Sequence, residues 1–142
     1  PSDPDGHAAF VRDRARASNQ LAAPVARALR CWRRTHAVPL RGFHLEVLAL
    51  RGIDGATDFA AACADAFERV AAGVTVRCPP PVPVGDDVDA YLAAKPDLRQ
   101  RAAAAAAEAA ASLRSALGLA AVGDHGAACA RALQVFGVPF PS

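Results

Sequence analysis

Apolar positions recur along most of this chain at helical spacing. Between Leu21 and Arg34, Leu21, Val25, Leu29 and Trp32 share one sector of a helix at about 100° per residue, while Arg27, Arg30 and Arg34 fall on the opposite one. From Gly42 to Leu50 apolar residues occur nearly all round the axis, which predicts a helix buried on most sides. A third amphipathic segment places Phe59, Cys63, Ala66, Phe67 and Val70 inward, with Asp58, Asp65, Glu68 and Arg69 on the solvated face and Thr57 or Asp54 as its cap. A long helix is expected from Pro96 to about Leu117, stopping at Gly118. Its six consecutive alanines, Ala102 to Ala107, have the highest helix propensity, and Leu98, Ala102, Ala105, Ala109, Leu113 and Leu117 form its inner stripe. Asp124 should cap a last helix with Leu133 and Phe136 inward, ended by Gly137.

Two shorter helices complete the pattern. One runs from about His7 to Ala17, after which Ser18 or Asn19 can cap the next. The other, brief, follows Asp86 or Asp87 and carries Val88, Tyr91 and Leu92. Gly73 to Gly85 holds four prolines, so it cannot be helical and is expected as an extended strap across the helices. The sum is an all-α domain of about six helices, and 142 residues suit one domain.

Composition sharpens this picture. Hydrophobic residues make up 53% of the chain but aromatics only 6%, so alanine dominates and closely packed helices are favoured. The net charge of +2 conceals an asymmetry: residues 1–51 carry +5 and residues 52–142 carry −3. The positive part would attract phosphates or another acidic partner. Charges or prolines interrupt every apolar run before the roughly 20 residues of a membrane span, so no membrane partner is expected. The cysteines, Cys31, Cys63, Cys78 and Cys129, show neither zinc-ligand spacing nor a disulfide framework, and a reducing cytoplasm is the compartment expected. The sequence lacks methionine, which is read as the mark of a fragment.

Glu46 stands out in its apolar helix. A carboxylate there needs a cation, since an unpaired buried charge costs several kcal/mol. Arg27 and Arg30 are nearest in sequence, and an internal Arg27–Glu46 ion pair fixing the two helices is the expected arrangement.

The series Arg27-Ala-Leu-Arg30-Cys-Trp32, followed by Pro39-Leu-Arg-Gly42-Phe43-His44-Leu45-Glu46, resembles the motif that opens the helical C-terminal lobe of oligoadenylate-synthetase and cyclic GMP-AMP synthase-like nucleotidyltransferases. Cys78-Pro-Pro with Val88-Asp-Ala-Tyr91-Leu92, and the closing Phe136-Gly137-Val-Pro-Phe140-Pro141, are similar to later segments of the bacterial branch, which makes cyclic oligonucleotides in antiphage signalling. The resemblance implies a nucleotide-binding support lobe, with Arg30 on the triphosphate of ATP or GTP, Phe43 stacking on a base, and Ser18, Asn19 and Arg34 nearby. Gly42 stands where the family carries a serine. The resemblance further implies an N-terminal catalytic lobe as partner, which would hold Mg²⁺. The strand-borne carboxylates that bind metal in that superfamily have no counterpart here, so this chain alone is not expected to catalyse. The competing class is a stand-alone interaction module whose arginine face meets an acidic protein or an RNA backbone.

Overall fold

The computed structural model describes residues 9–10, 20–56, 58–75, 92 and 95–137. Within them the protein is all-α: helices α1 (Ala22–Thr35), α2 (Gly42–Leu50), α3 (Phe59–Gly73), α4 (Pro96–Ala121) and α5 (His125–Phe136) follow one another, and no strand occurs among the described residues. Of the two shorter helices expected, residues 9 and 10 are helical, and Leu92 is a buried residue in a 3₁₀ turn. The remainder of both, and residues 76–85 of the expected strap, lie outside the described residues. Among the described residues no helix is long and apolar enough to cross a membrane.

α4 lies against α3 on one side and α5 on the other, while α1 touches α2, α3 and α5 and so closes the bundle. The inward stripe of α1 is the one its periodicity predicts, with Val25, Leu29 and Trp32 buried. All of α2 from His44 to Leu50 is buried. Cys63, Ala66, Phe67 and Val70 of α3 meet Ala102, Ala106, Ala109 and Leu113 of α4 in one continuous core. Small residues on α4 let it approach both neighbours closely, so the aromatic volume concentrates elsewhere. Trp32 packs on Phe67 with centroids 4.9 Å apart and planes at 72°, and Phe67 lies 6.0 Å from Phe136. Edge-to-face contacts of this kind add about 1 kcal/mol to the burial itself.

Three helix ends and one side chain differ from expectation. α1 begins at Ala22 with Leu21 as N-cap and no side-chain cap; Ser18 and Asn19 lie outside the described residues. Asp58 caps α3, because its extended backbone directly before Phe59 lets the carboxylate accept from the Ala61 N–H at 2.8 Å. α4 continues through Gly118 to Ala121: a mid-helix glycine costs only about 1 kcal/mol, whereas the left-handed turn that ends the helix falls at Gly123, φ 86°. In α5, Asp124 accepts from the Ala127 N–H and Gly137 closes the helix, as expected, but Leu133 is 44% exposed. α5 sits at the edge of the bundle, where α4 and α1 cover only a narrow sector of it.

Candidate functional site

The arginine face of α1 and the start of α2 form the expected candidate site. Ala37, with φ 50°, and Val38 fold the chain back between the two helices. Arg33 secures that turn by donating from Nη1 to the Leu40 carbonyl at 3.1 Å. Glu46 is 5% exposed, and the guanidinium that reaches it is that of Arg30, in place of the expected Arg27. Arg27 lies one turn nearer the N-terminus of α1 and is exposed. The Arg30 side chain keeps 38% of its surface in water, so it is held at its base by Glu46 and open beyond it. Arg34, one turn further along α1, is exposed. Phe43 is half-buried and precedes Glu46 by three residues, which puts the two on neighbouring positions of one side of α2. The structure thus gathers Arg30, Glu46 and Phe43 at one α1–α2 seam.

Elsewhere arginine does work that the sequence pattern conceals. Arg69, expected on a solvated face, donates from Nε and Nη2 to the carbonyl of Ala49 and so caps the end of α2. Burial lowers its pKa, and Asp65 and Asp54 partly offset this. Arg99 donates to the carbonyl of Val74 at 2.9 Å, capping α3 in the same manner. Both arrangements satisfy carbonyls that a helix end leaves without partners. On the surface Arg114 ties α4 to α3 through Asp65 and Glu68, whose hydrogen bonds raise its pKa.

Two concavities flank these elements. One, of about 270 Å³, lies at the α2–α3 turn and is lined by Asp54, Asp58, Asp65 and Arg69. Among the described residues, no group of three or more His, Cys, Asp or Glu side chains is arranged to hold a metal ion. The other, of about 150 Å³, opens between α1, α4 and α5, with Trp32, His36, Glu108, Ser112 and Gln134 in its lining.

Beside this second groove the end of α5 is clamped to the end of α1. Cys31 Sγ and Thr35 Oγ1 both donate to the Phe136 carbonyl, at 3.3 and 3.2 Å. His36 Nε2 lies 2.8 Å from the Val135 carbonyl and 3.2 Å from that of Gln134, so this nitrogen carries the proton. Gly137, with φ 73°, completes the cap, and its Cα faces Thr35 so closely that a Cβ would lie 2.5 Å from Cγ2. No sequence motif announces this clamp; only the polar residues closing α1 hint at it. The remaining thiol of the core, Cys63, is pushed up to about 12 by burial and by the nearby Asp58 carboxylate, and is chemically inert at neutral pH.

No family model matches the chain, and no curated protein matches it.

Proposed function

We propose that the chain is a helical lobe that supports nucleoside triphosphate binding in a nucleotidyltransferase of the cyclic-oligonucleotide synthase type, working in the cytoplasm in antiphage signalling. The observation that carries this is the α1–α2 seam, where a half-exposed arginine is anchored by a buried glutamate beside a half-buried phenylalanine. Arg30 would meet the phosphates of ATP or GTP, a role for which a planar guanidinium with several donors is suited. Phe43 would stack on the base, and Arg34 would add positive charge one turn away. Ser18 and Asn19 belong to the same proposal through the resemblance alone. Mg²⁺ would be held by the catalytic lobe, and the chemistry would take place there.

Gly42 gives this reading a sharp test. A Cβ at Gly42 would meet no described residue within 4 Å, so these leave room for a serine, the family's residue. Isothermal titration of ATP and GTP with Mg²⁺ into the protein should give weak, saturable binding that Gly42→Ser strengthens and Arg34→Ala or Phe43→Ala weakens. Absence of heat with either nucleotide, in the protein and in Gly42→Ser alike, would overturn the reading and favour a module that meets an acidic protein or RNA.

A further inference from the structure

The groove between α1, α4 and α5 lies apart from the arginine seam, and its chemistry is opposite in sign. Glu108 on α4 brings a carboxylate to its lining, and no ion pair engages that carboxylate among the described residues. Among the described residues no arginine or lysine lines it. The carbonyls of Gln134 and Val135 belong to the last turn of α5, where the helix dipole concentrates partial negative charge. His36 meets those carbonyls through its Nε2–H. Ser112 adds a hydroxyl that can accept as well as donate. Trp32 supplies an aromatic wall, and Ala105 and Ala109 an apolar one.

A carboxylate, helix-end carbonyls and an indole together favour positive charge. A cation near an aromatic ring is attracted by its quadrupole, more so when desolvated. The volume of about 150 Å³ is close to that of an engineered cavity that admits benzene, which limits the ligand to a handful of heavy atoms. An anion would face the Glu108 carboxylate here, and a purely apolar molecule would leave that carboxylate without a counter-charge. We propose that this groove is a binding site for a compact organic cation, an alkylammonium whose ammonium group faces Glu108 and whose hydrocarbon part lies against Trp32, Ala105 and Ala109.

The chain's single tryptophan lines the groove, so its emission in the folded protein responds to a ligand bound there. The 142-residue protein is titrated with isobutylammonium chloride at about pH 8, above the ordinary histidine range. Isobutanol serves as the neutral analogue of the same skeleton, and sodium chloride as the ionic-strength control. A saturable change in emission is expected with the ammonium and with neither control. Glu108→Gln, at an exposed position, should retain the helical circular dichroism and weaken binding about tenfold or more, as loss of a charge-assisted hydrogen bond requires. An unsaturable titration, equal binding of isobutanol, or unchanged affinity in Glu108→Gln would each overturn the proposal.

Discussion

Arg30→Ala tests the α1–α2 seam most directly. It removes one cationic partner of the Glu46 side chain, which is 7% exposed. Breaking a fully buried pair costs about 3–5 kcal/mol, and an exposed pair about 0–1 kcal/mol. With Arg30 at 38% exposure and Glu46 nearly sealed, a loss of about 2 kcal/mol is expected from those two limits. Glu46→Gln keeps the shape and removes the buried charge together with its desolvation cost, so it should lose less, about 1 kcal/mol. The double variant should then fall well short of the sum of the single losses, with a coupling of about 1 kcal/mol or more. Urea unfolding followed by Trp32 emission measures all four proteins, provided the slope with denaturant is unchanged. Additivity within about 0.5 kcal/mol, or an Arg27→Ala variant that couples to Glu46 more strongly than Arg30→Ala does, would refute the assignment of the pair.

Three further outcomes follow from the core and the helix ends. Phe67→Ala, which empties the space between Trp32 and Phe136, should cost about 3–5 kcal/mol in the same urea assay. Gly137→Ala combines a left-handed backbone with a collision against Thr35; the backbone alone costs about 1–2 kcal/mol, and Thr35→Ala in the same background should recover part of the loss. Cys63 should resist thiol reagents in the native protein at neutral pH, while Cys129 is exposed and open to them. Native Cys63 keeps its proton up to about pH 12, while the unfolded chain releases it near 9.0. The unfolded state therefore binds fewer protons in that window, and stability should fall with rising pH, by at most about 1.4 kcal/mol per unit. Comparison of denaturation curves for the protein and Cys63→Ala above pH 9.0 isolates this slope.

The helices were legible because burial imposes a period on the sequence. Val25, Leu29 and Trp32 had one consistent inner face, and the unbroken apolar run of α2 could only be covered on most sides. What a one-dimensional pattern lacks is the crossing of one helix over another. Arg27 and Arg30 occupy adjacent positions on the same face of α1, and only the way α1 meets α2 decides which of them reaches Glu46. Arg69 looked like part of a solvated face because Asp65 and Glu68 precede it there, yet its long side chain reaches back to the end of a different helix. Leu133 was expected inward from its apolar character alone, and the narrow contact of an edge helix left it half outside. Of the candidate site, residue identities were readable in the sequence, but the partner that anchors Arg30 was not.

The clamp at the end of α5 also fixes an order of assembly. Thr35 and the carbonyl it caps are 101 positions apart, so the contact that seals the Trp32–Phe67–Phe136 cluster waits until α5 has been synthesised. Until then a nascent chain carries the two largest rings of its core without the third, and a chaperone that recognises exposed aromatics would have a target that disappears when α5 docks. Premature termination before Gln134 would leave that target permanently displayed, which ties quality control of this protein to the last turn of α5.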